Sequence, residues 1–346
     1  MGELEFRLLN DFQRDFPLVS EPYAAIARRL GTSCDSVLET LARLRTHGAV
    51  SRVGAVFRPN AIGASSLAAM AVPAGRLATV ARYVSGFREV NHNYEREHRL
   101  NLWFVAAAPD AGRLRQVLRA IGETTGIEVL SLPLVEEFHI DLGFDLAGRR
   151  AAPGDGRALA GRRSGAAELP KRVSGGPPPR IAVSPSGQRL VAALQDGLDL
   201  VPRPFAVLAG RAGVSEGAVL ETLAAWQALG LIRRFGVVVR HHELGFGANA
   251  MCVWDVPDAE VSAVGRGLAD EPAVTLCYRR ERAAPHWRYN LYCMLHGRSR
   301  PEVLGKLAGI EARHGLGHHP HAALFSLRRF KQTGARYGVP AELRHG

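Results

Sequence analysis

The chain states one pattern twice, and that repetition constrains its fold more than any other feature. Gly48–Gly54 reads GAVSRVG and Gly230–Gly236 reads GLIRRFG, 182 residues later, each ahead of a glycine (Gly63, Gly245) at the same offset. VNHNY at Val90–Tyr94 aligns with VTLCY at Val274–Tyr278 at an offset of 184, and Asn101-Leu102-Trp103 aligns with Asn290-Leu291-Tyr292 at 189. Offsets that grow in small steps belong to two copies of one unit with loop insertions. A fused duplicate carries an internal pseudo-dimer with distinguishable sites. The differences between the copies, His92 against Leu276 above all, mark where function is to be sought.

Each copy opens with a helix-turn-helix pattern. In the first, Leu4, Leu8, Leu9 and Phe12 give a helix over Leu4–Asp15, Pro22 opens a short helix to Leu30, and Gly31 stops it. Thr32-Ser33 caps a third helix, Cys34–His47, whose apolar positions are Val37, Leu38, Leu41 and Leu44. The second copy repeats this with Pro204–Ala212, Gly213, Ser215 as cap, a helix over Glu216–Leu229 and a β-rich wing over Leu231–Arg240. After each wing comes an apolar run (Leu67–Val72; Ala250–Val256) and a helix (Leu77–Val84; Ala259–Leu268). A hairpin follows (Val90–Glu97 with Leu100–Ala107; Val274–Arg282 with Arg288–His296), then a helix (Leu114–Thr124; Pro301–His314) and a last strand (Val129–Phe138; Ala322–Phe330). Strand-helix-strand-strand-helix-strand is the ferredoxin-like order. The fold class is therefore α+β: two tandem copies of a winged helix-turn-helix followed by a ferredoxin-like domain. The expected boundaries are 1–60, 61–146, 185–242 and 243–338, with a linker over 147–184 and a tail over 339–346.

The net charge of +11 suggests nucleic acid until it is located. Residues 147–184 hold eight Lys/Arg against Asp155 and Glu168, which is +6 and leaves +5 for the rest. That segment is rich in Gly, Ala, Pro and Ser and is expected to be a disordered linker whose charge serves solvation. No apolar run approaches 18 residues and the N-terminus lacks an apolar signal segment, so neither membrane nor export is expected. Cys34, Cys252, Cys277 and Cys293 show no CxxC pairing, which favours reduced thiols, a cytoplasmic location and no zinc site. His314, His318, His319 and His321 have only superficial metal spacing, in a Gly-rich loop without an apparent carboxylate partner, and no metal site is expected there.

The order of elements resembles the Lrp/AsnC family of transcription regulators. Within that superfamily the chain is more similar to the siroheme decarboxylases of the heme d1 pathway, in the form that fuses both subunits. The strings that carry the resemblance are HNYEREHRLNLWF (92–104), EEFHIDLGFDL (136–146), CYRRER and HWRYNLYCMLHG (277–297), and LFSLRRFKQTGARYG (324–338). One departure is Arg288, where the family pattern carries proline after the tryptophan. The resemblance implies a lyase that removes CO2 from the C12 and C18 acetates of siroheme, giving 12,18-didecarboxysiroheme. The iron enters with the substrate, and homologous decarboxylase subunits are implied as partners. Assembly beyond the internal pair stays open.

The alternative is a DNA-binding regulator of the Lrp/AsnC type, and the recognition helices argue against it. A helix in the major groove presents basic and amide side chains to bases and phosphates. Ser215–Gly230 contains no Lys or Arg and carries Glu216 and Glu221, while Ser33–Gly48 begins with Asp35 and Glu39. The wings are basic, through Arg52, Arg58, Arg233, Arg234 and Arg240, so weak non-specific attraction is expected, but no specific DNA complex.

Siroheme carries eight carboxylates, so the implied substrate needs arginine forks to grip it. Loss of CO2 leaves a carbanion beside the macrocycle, which is its own electron sink. No further cofactor is required, and no nucleotide or pyridoxal fingerprint is present. The remaining need is a proton donor, for which histidine suits. His92, Tyr94, Arg96 and His98 alternate and are expected to share one strand face, with His92, Tyr94 and His98 as catalytic candidates and Arg96 as a carboxylate anchor. The matching strand offers Tyr278, Arg279, Arg280 and Arg282 for substrate binding, with Leu276 in the place of His92. His286 and Trp287 in the following turn and His139 near the end of a strand complete the candidates. Trp103, Tyr289 and Tyr292 are expected in the strand core.

Overall fold

The computed structural model describes residues 2–140, 183–239 and 247–337. Most of the expected linker, His241, His242 and the tail lie outside the described residues.

The helix-turn-helix units form where their caps dictate. α1 (Glu3–Asp11) and α6 (Pro185–Leu194) open the two copies. α2 (Pro22–Leu30) and α7 (Pro204–Ala212) each start on proline and end on a left-handed glycine, Gly31 and Gly213, both at φ 66°. In α3 (Cys34–Thr46) and α8 (Glu216–Ala228) the capping oxygens of Ser33 and Ser215 accept from the amides of Ser36 and Ala218. α1 is shorter than its periodicity suggests, because the chain after Asp11 is drawn into sheet contacts. The Phe12 carbonyl accepts from Val237 N–H, and Asp15 bridges Phe235.

The wings bring the copies together. β1 (Val50–Phe57) pairs antiparallel with β6 (Ile232–Val239), and Gly54 lies opposite Gly236 at the centre. This is the pseudo-twofold axis, since the two glycines are the equivalent residues of the repeat. A Cβ on Gly236 would stand 2.2 Å from the Phe12 carbonyl oxygen, so only glycine lets α1's end lie on the wing. One apolar core runs through both helical units, joining Leu8, Phe12, Tyr23 and Leu41 to Phe205, Leu223, Trp226 and Phe235.

The remaining elements are β2 (Ala64–Met70), α4 (Leu77–Gly86), β3 (Val90–Arg96), β4 (Leu102–Ala108), α5 (Ala111–Thr125) and β5 (Leu130–Ile140), repeated as β7 (Ala248–Trp254), α9 (Val261–Ala269), β8 (Val274–Arg280), β9 (Leu291–Gly297), α10 (Arg300–His314) and β10 (His321–Gln332). Each copy orders its strands as the ferredoxin-like pattern requires, β3-β4-β2-β5 and β8-β9-β7-β10. The last strand of each then pairs with the second strand of the other, β5 with β8 and β10 with β3. Eight strands thereby close into one barrel. Closure removes both sheet edges, which is why the duplicated halves belong together. Each sheet buries its outer face under helices. The inner faces meet in a third cluster, where Leu67, Trp103, Leu132, Met251, Tyr292 and Leu324 come from both copies.

The strands are shorter than the sequence reading proposed at one place that matters. β8 ends at Arg280 and β9 begins at Leu291, so Arg282 leaves the ladder and joins His286 and Trp287, expected in the turn, in the connection. Ala283 and Trp287 exchange two 2.8 Å backbone hydrogen bonds across it. Arg288 donates to Asp255 at 2.7 Å, so an ion pair fixes the turn where the family pattern has proline.

Because each half depends on the other to cover a strand edge, the covalent link is expected to be dispensable. Segments 1–146 and 185–346 produced together as separate chains should co-purify as a one-to-one complex. Halves that elute separately on size exclusion would show that the barrel needs the link.

Candidate active site

A cavity of about 450 Å³ lies inside the barrel and opens toward the paired wings. This is within the ~300–1,000 Å³ typical of small-molecule sites. It is lined from both copies by pseudo-equivalent residues: Tyr94 and Tyr278, Arg96 and Arg280, Arg52 and Arg234, Val105 and Met294. Inward-facing positions of β3 and β8 supply the tyrosines and two of the arginines, since alternate residues of a barrel strand point into the lumen.

Charge is the cavity's distinguishing property. Its described lining contains Arg52, Arg96, Arg234, Arg280, Arg328 and Arg329, with His92 and His296, and no Asp or Glu. Arg96 donates to the Leu324 carbonyl at 2.9 Å and Arg280 to the Leu132 carbonyl at 3.0 Å, each reaching the last strand of the other copy. Arg96 lies 5.7 Å from the Tyr94 ring centre, and Arg280 lies 5.2 Å from that of Tyr278. Burial pushes the Arg96 guanidinium down to about 10 and lowers that of Arg280. The Nε atoms of Arg52 and Arg96 are buried without a hydrogen-bond partner. Unsatisfied cationic donors in a cavity whose described lining holds no carboxylate call for an anion, because a buried charge left uncompensated is costly.

His92 lines this cavity, with Nδ1 3.0 Å from Asn91 Oδ1 and its ring stacked 6.3 Å from that of Tyr94. Burial first, and then the Arg52 charge, push its imidazole down to about 4. The sequence argument wanted a side chain titrating near neutrality. Burial among these cations makes His92 instead a neutral imidazole at physiological pH. Tyr94 and Tyr278 are pushed upward by burial, Tyr278 to about 12, so both phenols keep their protons.

The structure places other candidates elsewhere. His98 follows the end of β3; its Nδ1 accepts from Leu100 N–H at 3.0 Å and its ring packs edge-on against Trp287. Trp287 is itself core, 2% exposed, donating to the Tyr292 hydroxyl and packed on Trp103. Arg282 is bound to Asp255 and Asp258, and Arg279 to Asp258 at 3.0 Å, so outer-surface carboxylates hold both. His286 is exposed beside Glu128 at 3.6 Å. His139 is half-buried on β5 opposite Cys277, outside the cavity lining. The C-terminal histidines do have carboxylate partners, contrary to the sequence reading: His314 meets Glu271 at 2.8 Å and His321 meets Glu311 at 3.5 Å.

Sequence reasoning missed five charged or titratable contributors. His296, on β9, replaces Ala107 of the first copy, and burial with the Arg96 and Lys306 charges pushes it down to about 4. Arg52 and Arg234, read as basic residues of the two wings, both line the cavity. Arg328 and Arg329 sit on β10 in the string RRFK, where the first copy reads EEFH, a charge reversal visible in the sequence once the strands are superposed.

Comparison with known proteins agrees with this architecture. A family described as AsnC-like ligand binding domain matches residues 61–139 and 243–331, and one described as siroheme decarboxylase NirDL-like HTH domain matches 5–50 and 187–233. The siroheme decarboxylase NirDL subunit of Paracoccus denitrificans is 45% identical over 335 residues, 97% of each chain. A siroheme decarboxylase of Hydrogenobacter thermophilus is 32% identical over 97% of this chain and 96% of its own. The NirD subunit of Pseudomonas aeruginosa is a separate protein, 50% identical over 43% of this chain and all of its own. A crystal structure of the siroheme decarboxylase NirDL superposes with a TM-score of 0.67 at 30% identity, over 97% of this chain and 94% of that one. Another, in complex with an iron-uroporphyrin III analogue, gives 0.65 at 29%, over 97% and 93%. The chain belongs to the siroheme decarboxylase family, in the form that carries both subunits in one polypeptide.

Proposed function

We propose that this protein decarboxylates siroheme, removing CO2 from the C12 and C18 acetates to give 12,18-didecarboxysiroheme. The carrying observation is the cavity lined by six arginines and two histidines with no acid among its described residues. An octacarboxylate supplies the missing negative charge, and arginine grips carboxylate in two places at once.

The reaction divides simply. Arg96 and Arg280, held to backbone carbonyls of the opposite copy, fix the carboxylates that do not react. At the reacting acetate the bond to CO2 breaks, and its electron pair passes into the conjugated macrocycle. The CH2 carbon left behind takes a proton from His92 and becomes methyl. His92 acquires that proton because carboxylates arriving beside it offset the Arg52 charge and raise its pKa from about 4. The macrocycle provides the electron sink, so the reading requires no added cofactor. Tyr94, protonated and within the same lining, orients the acetate.

Homologous decarboxylase subunits are the partner class, and the cytoplasm is the proposed location; among the described residues all four cysteines are free thiols and no helix is long and apolar enough to cross a membrane. Specific DNA binding is not part of this reading, since α8 carries no Lys or Arg and its first acid, Glu216, is paired with Arg203. Anaerobic incubation with siroheme followed by mass analysis tests the proposal. Two successive losses of CO2 are expected. Unchanged siroheme, together with a nanomolar sequence-specific DNA complex at physiological salt, would favour the regulator instead.

A further inference from the structure

β3 carries one residue more than the strand beside it. Val90 lies opposite Ala106 and His92 opposite Val105 on β4, so two steps along β3 match one along β4 and Asn91 is the extra residue of a β-bulge. A bulge re-aims side chains, and here it turns two neighbours to the same side. Asn91 and His92 both line the cavity, whereas Asn93 points to α4 and donates to the Ala81 carbonyl at 3.0 Å. Asn91 is 4% exposed. Its carbonyl accepts from the Thr333 N–H at 2.8 Å and the Thr333 hydroxyl at 3.4 Å, so the chain after β10 of the other copy fixes its backbone.

The Asn91 side chain is directed at His92. Its Oδ1 lies 3.0 Å from His92 Nδ1, in the one hydrogen bond that ring makes among the described residues. A carbonyl oxygen has no proton to give, so Nδ1 carries the proton and Nε2 is left with the lone pair. Around the ring stand Tyr94 on β3, Arg52 from β1 and Val105 on β4, with Gln332 and Arg329 of β10 opposite His92 and Tyr94. The second copy keeps the bulge, at Thr275, but directs that hydroxyl to the Met294 carbonyl at 3.1 Å and carries Leu276 next to it. The amide and the imidazole occur together in one copy, and neither occurs at these places in the other.

We propose that Asn91 is a positioning residue for His92: by accepting the Nδ1 proton it fixes the tautomer and rotation of the ring and makes Nε2 the nitrogen that handles the transferred proton. Nε2 takes a proton from solvent as the substrate's carboxylates arrive and hands it to the CH2 carbon, which returns the ring to its neutral Nδ1–H form. An amide suits this task better than a carboxylate, since a neutral acceptor orients the ring without stabilising the imidazolium that must release its proton. The proposal rests on the reading of His92 as proton donor.

Nitrogen NMR of the full chain with isotope-labelled histidine, at neutral pH and without substrate, reads the tautomer. The signal that disappears in His92→Ala is expected to show the proton on Nδ1. Asn91→Leu, similar in volume but without the acceptor, should lose that preference and slow single-turnover decarboxylation by about 10- to 100-fold, with Kd for siroheme changed by less than about threefold. Asn91→Asp keeps the acceptor and adds a charge that favours the imidazolium. Its tautomer should stay, and the pH at which the rate falls on the alkaline side should move upward. A wild-type proton on Nε2, an Asn91→Leu that keeps both tautomer and rate, or an Asn91→Asp whose alkaline limb does not move would overturn the proposal and leave the donor reading in place. An unchanged rate in His92→Ala would overturn the donor reading first, and this proposal with it.

Discussion

His92→Ala is expected to slow the decarboxylation step by about 10²–10⁴-fold while siroheme still binds, the usual range for losing a positioned proton donor. The second copy has Leu276 at the equivalent place, so no imidazole at that position compensates. Single-turnover rates against siroheme titrations separate the two effects. A further signature follows from the depressed pKa. Free His92 is neutral at pH values above about 4, whereas beside bound carboxylates it is raised, so binding near neutrality should draw a proton from buffer. That uptake should vanish in His92→Ala. An unchanged single-turnover rate would instead move the donor to His296, the other imidazole among the described lining residues. His98, packed against Trp287 outside the cavity, is not expected to matter to the chemistry.

Arg280→Gln and Arg96→Gln are the second pair of large effects, and they fall on binding. Each guanidinium is buried, anchored on one backbone carbonyl and set over a tyrosine ring, and Arg96 also lies 4.0 Å from the Met294 sulfur. Losing a charge-assisted contact costs about 1.5–3 kcal/mol, a weakening of roughly 10- to 100-fold in Kd. Equal effects from the two are expected because they occupy pseudo-equivalent places. Arg282→Gln is the contrast. Its charge is spent on Asp255 and Asp258, so it should lower thermal stability and leave affinity unchanged, and an affinity loss matching Arg280→Gln would contradict the site drawn here.

Local rules carried the sequence reading a long way. Caps and glycine stops placed α2, α3, α7 and α8 within a residue or two, because those signals act over a few residues and do not depend on the rest of the fold. Period-two spacing put His92, Tyr94 and Arg96 on one face. It failed at His98 and Arg282 because alternation holds only while the strand lasts, and β3 and β8 end at Arg96 and Arg280. Trp287 shows the same limit, since its position in a turn suggested exposure to a ligand and the packing of Trp103 and Tyr292 against it made it core.

The sequence alone determined the duplication, the winged helix and ferredoxin-like order within each copy, and the residue types the chemistry requires. These follow from short-range patterns and from comparing one half with the other. Tertiary structure alone decided which charges meet. Arg52 of a wing, Arg329 of the last strand and His296 of β9 lie far apart in the chain, and only the crossing of β5 and β10 into the opposite copy gathers them around one cavity. The same closure decided which arginines face the cavity, because that depends on which strand lies beside which, and no local periodicity encodes it.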